Sequence, residues 1–75
     1  MEILKQFGNR VREERLRRGL SQEDLAYRSR LHRTYIGMIE RAEKNITLIN
    51  IEKISKALQI PLHELFNTGD ENGRK

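Results

Sequence analysis

The sequence predicts an all-α fold, a compact domain of five short helices, and three observations carry that prediction. Apolar residues recur at three- and four-residue spacing, Ser, Thr, Gly and Pro punctuate the segments where helices begin and end, and no stretch alternates apolar with polar residues as a half-buried strand would. The chain of 75 residues suits one small domain with a single modest core, expected over residues 1–66, followed by a flexible polar tail at 67–75. It contains no cysteine, so packing, aided by dimerisation, must stabilise it without disulfides or thiolate metal clusters.

From Glu2 to Arg18, Ile3, Leu4, Phe7, Val11 and Leu16 fall at mostly helical spacing, and Gly19 supplies a stop. Ser21 is placed to accept from the backbone N–H of Asp24, opening a second helix whose Leu25 and Ala26 turn inward. A tight turn near Arg30 leads to a third helix starting at His32 or Arg33, with Ile36 and Ile39 inside. Thr47 caps a fourth through LINIEKISKAL, and Pro61 precedes a last segment, LHELF. The tail NTGDENGRK has no apolar periodicity.

Several function classes find little support. His63-Glu64 opens like a zinc-protease HExxH, but Asn67 occupies the fifth position, so the second ligand is absent. His32 and His63 lie on different elements without a matched carboxylate cluster, and no glycine-rich phosphate loop occurs. No catalytic residues, metal, cofactor or small-molecule ligand are therefore expected. Asn45-Ile46-Thr47 matches a glycosylation acceptor without a secretory context, and the amphipathic first segment carries Glu2, Glu13 and Glu14 against a membrane-surface role. With no long apolar run near the N-terminus, a cytoplasmic protein is the expectation. Lys plus Arg number 15 against 11 Asp plus Glu, a net charge of +4 that favours a polyanionic partner.

Two short helices joined by a tight turn, the second displaying polar side chains from its first turn, suit major-groove reading. SQEDLAYRSRLHRTYIGMIERAEKN resembles the helix-turn-helix of the lambda-repressor/Cro (Xre-type) family, and HRTYIGMIERAEKNITL in particular resembles the controller proteins of bacterial restriction–modification systems. The resemblance spans Phe7 to Phe66 and rests on Gln22, Leu25, Ala26, Leu31, Ile36, Ile39, Glu40 and Arg41 at matching positions. It implies a lambda-repressor-like domain in the bacterial cytoplasm that regulates transcription by binding a roughly palindromic double-stranded operator as a homodimer. A phage-type repressor or the antitoxin of a toxin–antitoxin pair uses the same fold.

Residue roles follow from that resemblance and from side-chain chemistry. Ala26 must be small where the third helix crosses it. Arg33 can bridge guanine N7 and O6 as a rigid fork. Thr34 can touch a base edge, a thymine methyl or a phosphate, and Tyr35, which can also hydrogen-bond a phosphate or stack near the backbone, completes the expected base-reading set Arg33, Thr34 and Tyr35. Gln22, at a helix N-terminus, and Arg41, Lys44 and Asn45, just past the third helix, are expected to hold phosphates. Glu40 would repel DNA, and by the family pattern it pairs with Arg15. Gly37 weakens its helix; a close approach to DNA or another helix would account for it. Arg30 replaces the family's usual glycine, implying a strained turn or another geometry. Ile49 lies off the core stripe of its helix and, with Leu62 and Phe66, is the expected dimer interface, although a wider core could also take the latter two.

Overall fold

A computed structural model describes residues 2–66, and the tail expected from residue 67 lies outside them. The five helices are α1 (Glu2–Arg17), α2 (Gln22–Ser29), α3 (Arg33–Glu40), α4 (Leu48–Leu58) and α5 (Leu62–Leu65). None of them is long and apolar enough to cross a membrane.

Local chemistry sets the helix starts. The Ser21 hydroxyl accepts from the Asp24 N–H at 2.9 Å while the Asp24 carboxylate accepts from the Ser21 N–H at 2.9 Å, a reciprocal capping box. Hydrogen bonding from Ser21, its backbone N–H foremost, holds the Asp24 carboxyl below its ordinary pKa. Thr47 caps α4 through the Asn50 N–H at 3.2 Å. His32 caps α3 with Nδ1, which accepts from the Thr34 N–H at 3.1 Å, so the helix proper begins at Arg33.

The ends of α1 to α4 share one geometry. At Gly19, Arg30, Ala42 and Gln59 the backbone is left-handed, with φ of 68°, 61°, 61° and 59°. In each case the following N–H reaches back five residues: Leu20 to the Arg15 carbonyl, Leu31 to Ala26, Glu43 to Met38 and Ile60 to Ser55. These are Schellman closures, and glycine fills the left-handed position in only the first of the four. Arg30 thus adopts the positive φ that the family's glycine would supply.

The core gathers Phe7, Val11, Leu20, Leu25, Ala26, Ile36, Ile39, Ile51, Ile54, Leu58, Ile60 and Leu65, with α3 packed on α1 and α2, and α4 on α2 and α5. The inward face of α1 differs from the one its apolar residues suggested. Ile3 and Leu16 are about half exposed, while Gly8, Glu14 and Arg15 are buried. Gly8 explains the crossing: a Cβ there would overlap the Ile39 carbonyl oxygen and lie 2.9 Å from that of Glu40, so α1 and α3 touch backbone to backbone. Leu16 follows Arg15 by one residue, about 100° around the helix, and is carried out of the contact.

Two buried carboxylates organise the polar interior. Glu40 accepts from Arg15 Nε at 2.7 Å and Nη2 at 3.0 Å, and from Gln22 Nε2 at 3.1 Å; Arg15 Nη1 also donates to the Leu20 carbonyl at 2.9 Å. The hydrogen bond to Glu40 raises the Arg15 pKa against the opposing effect of burial. One ion pair thereby joins α1, the turn after it, α2 and the end of α3. The second carboxylate, Glu14, is only 3% exposed and meets Arg10 at 2.7 Å, Arg17 at 3.0 Å and Arg18 at 2.6 Å. Burial alone would push its carboxyl up, but the Arg18 hydrogen bond and the charges of Arg10, Arg17 and Arg18 outweigh it and hold the pKa below the ordinary value. Arg10 Nε also donates to the Glu64 carbonyl at 3.0 Å, tying α5 to α1.

Candidate nucleic-acid interface

The Arg30 turn and the His32 cap together place the first turn of α3 in solvent while Ile36 and Ile39 anchor its inner face. The Arg33 side chain is 66% exposed and has one ion-pair partner among the described residues, Glu23 Oε2 at 3.2 Å. Thr34 beside it is exposed. Together with Gln22, Gly37 and Arg41 these two residues line a shallow open groove between the start of α2 and the outer face of α3.

Gly37 shapes that groove. A Cβ at this position would lie 3.0 Å from Arg41 Nη1 and 3.4 Å from Gln22 Oε1, so the missing side chain is the space in which the guanidinium and the amide approach each other. Arg41 also pairs through Nε with Glu43 at 3.1 Å, and the hydrogen bond from Arg41 to Glu43 raises the arginine's pKa. Gln22 is turned toward Glu40 and keeps a further amide N–H for another acceptor. Lys44 and Asn45 are exposed in the α3–α4 connection. Tyr35 stands apart from its neighbours: its ring is half-buried against the core, and its phenol oxygen accepts from Asn50 Nδ2 at 3.0 Å.

A separate apolar surface lies on α4 and α5. Leu48 and Ile49 are 77% and 68% exposed and form a groove with Glu52 and Leu62. Phe66 is partly exposed and stacks on Phe7 of α1 with ring centroids 5.4 Å apart. The structure therefore gathers Ile49 and Leu62 into one patch and adds Leu48.

Sequence reasoning missed Gly8, Glu14 and Asn50. Asn50, fifteen residues from Tyr35, gave no signal. Glu14 did give one, because Arg10 and Arg18 lie four residues to either side and Arg17 three residues on, all within reach on one helix.

Two short helices, a left-handed turn between them, and a second helix that offers polar side chains from its N-terminal turn define a helix-turn-helix. The chain belongs to the Helix-turn-helix family, whose profile matches residues 11–65. Among its relatives, the control protein C.BamHI of Bacillus amyloliquefaciens is 52% identical over 62 residues, covering 81% of this chain and 76% of that protein. The restriction–modification controller protein C.AhdI from Aeromonas hydrophila superposes with a TM-score of 0.85 at 48% identity, over 87% of this chain and 98% of that one. The controller C.Esp1396I, solved as a tetramer in complex with its natural 35 base-pair operator, superposes with a TM-score of 0.82 at 38% identity, over 88% of this chain and 91% of that one.

Proposed function

We propose that this protein is a sequence-specific regulator of transcription, the controller of a restriction–modification system, which binds a roughly palindromic DNA operator as a homodimer. It acts by binding, without catalysis. The observation that carries this reading is the placement of Arg33 and Thr34 on the solvent-facing first turn of α3, beside a groove whose other walls are Gln22, Gly37 and Arg41. A helix in that attitude enters a major groove by its N-terminal end.

Arg33 reads guanine, and Thr34 a neighbouring base edge or phosphate. Tyr35, with its hydroxyl end fixed by Asn50, reaches the DNA backbone. Gln22, Arg41, Lys44 and Asn45 hold phosphates and set register without reading sequence. The Arg15–Glu40 pair fixes the angle of α3 against α1 and α2. Leu48, Ile49 and Leu62, with Phe66 at the edge, meet the same surface of a second copy, which presents two α3 helices about 34 Å apart, one turn of B-DNA.

Selection of bound sequences from a random duplex pool tests binding, symmetry and half-site spacing at once. Arg33→Ala is expected to cost about 1–3 kcal/mol and to relax preference at one base pair in each half-site, whereas Lys44→Ala weakens binding to all sequences alike and flattens its salt dependence. Unchanged base preferences in Arg33→Ala would remove the arginine from the reading role.

A further inference from the structure

We propose that Asn50 is a positioning residue for DNA recognition: it holds the Tyr35 hydroxyl so that its proton is free for the nucleic acid. The proposal rests on the reading of α3 as the DNA-reading helix and adds a residue from a different helix to that site.

Tyr35 occupies the third position of α3, and Asn50 lies in the first turn of α4. Asn50 is itself well placed to act as a fixed point. Its backbone N–H is bonded to the Thr47 hydroxyl, and its side chain is half-buried. Since α3 packs mainly on α1 and α2, the 3.0 Å bond from Asn50 Nδ2 to the phenol oxygen is a direct side-chain link from α3 to α4.

The direction of that bond decides what Tyr35 can do. A phenol carries one proton and accepts through its lone pairs, whereas an ionised phosphate only accepts. With the amide as donor, the phenol uses a lone pair inward and keeps its proton for an outward acceptor, and a donor on the oxygen strengthens the bond it gives. Two torsions of a half-exposed ring are also settled before DNA arrives, which lowers the ordering cost of the contact. Without Asn50 the hydroxyl is left to water.

The test is a double-mutant cycle on the full chain, using as probe the duplex recovered by random-pool selection, at protein concentrations above dimer dissociation. Asn50→Ala and Tyr35→Phe are each expected to weaken binding about three- to tenfold, and the double variant no further than Tyr35→Phe alone. Sedimentation mass should match that of the unsubstituted protein. Asn50→Asp is nearly isosteric and keeps the start of α4 while turning the donor into an acceptor of the phenol proton. It should weaken binding more in the Tyr35 background than in the Tyr35→Phe background, a comparison in which the added charge cancels. Losses that simply multiply in the double variants, or an Asn50→Ala protein that binds the duplex as before, would overturn the proposal while leaving the DNA-reading role of α3 intact. A Tyr35→Phe protein with full affinity would overturn it too, by removing the tyrosine from the interface. Failure of every variant and of the unsubstituted protein to bind any duplex would instead sink the reading on which it rests.

Discussion

Arg33 reaches solvent with Glu23 as its ion-pair partner, and the strength of that pair decides how readily the arginine can leave it. Both side chains are well exposed, which puts the pair at no more than about 1 kcal/mol, so it would give way easily to the bidentate guanine contact proposed for Arg33. Gly37 is the more restrictive residue. Alanine there would improve helix propensity by roughly 1 kcal/mol, and its Cβ would crowd only the ends of the flexible Arg41 and Gln22 side chains. Gly37→Ala should therefore melt no lower than the unsubstituted protein while losing several-fold in affinity for DNA, as Arg41 is pushed from its place. Thermal melting and a binding titration check the two halves of this, and undiminished affinity would show that the groove needs no open space. Gly8 behaves oppositely. Alanine would collide with backbone rather than with a movable side chain. The exposed place of Arg33 and Thr34 at a helix start was legible in the sequence, whereas Gly8 was silent because the atoms it must avoid lie some thirty residues away.

At the scale of elements, starts were easier to read than stops. Ser21 and Thr47 signal caps by residue type, and Ser21 with Asp24 forms the reciprocal pair that its spacing allows. Among the stops, Gly19 signals a left-handed closure by its type and Arg30 through the family's glycine at its position, but Ala42 and Gln59 adopt the same conformation without any cue, held there by the carbonyls they cap. A left-handed backbone costs an ordinary residue on the order of 1 kcal/mol, partly offset by the greater unfolded-chain freedom of glycine. Each of Arg30→Gly, Ala42→Gly and Gln59→Gly should therefore raise stability by about 0.5–1 kcal/mol, measured by denaturant unfolding with an unchanged slope. A loss of stability at all three would mean that the side chains contribute more than their backbone strain costs. The inner face of α1 was unreadable for a related reason. Apolar periodicity cannot reveal a face on which a glycine and two charged residues take the buried positions; Leu16 keeps the helical spacing yet is half exposed, while Arg15 beside it is buried.

For the molecule as a whole, the question is how a core of twelve apolar side chains among the described residues holds α3 at a fixed angle. The two buried carboxylates answer part of it. Removing either partner of the Arg15–Glu40 pair would leave a charge stranded in the interior, at a cost of about 3–5 kcal/mol. Glu14 adds a pH dependence whose sign follows from its depressed pKa. The folded state holds this carboxylate ionised more firmly than the unfolded chain does, so its stabilisation is complete above the unfolded value near 4.5 and fades as pH falls through the lower folded value. In Glu14→Gln the loss of melting temperature should thus be largest near neutrality and shrink in acid below about pH 4. A gap independent of pH would mean that the side chain acts by packing alone. The apolar patch on α4 makes the last demand. Leu48 and Ile49 side by side are costly to leave in water on so small a domain, and the pairing of two copies proposed through them would also set the distance between their two α3 helices. Ile49→Asp places a charge at the centre of that patch without touching the core or α3. The expected result is a protein that melts nearly as before, sediments at half the mass of the unsubstituted one, and binds an isolated half-site as before while losing its tight hold on the two-half-site duplex. A variant that kept its mass and its grip on the full duplex would mean that the two copies meet elsewhere.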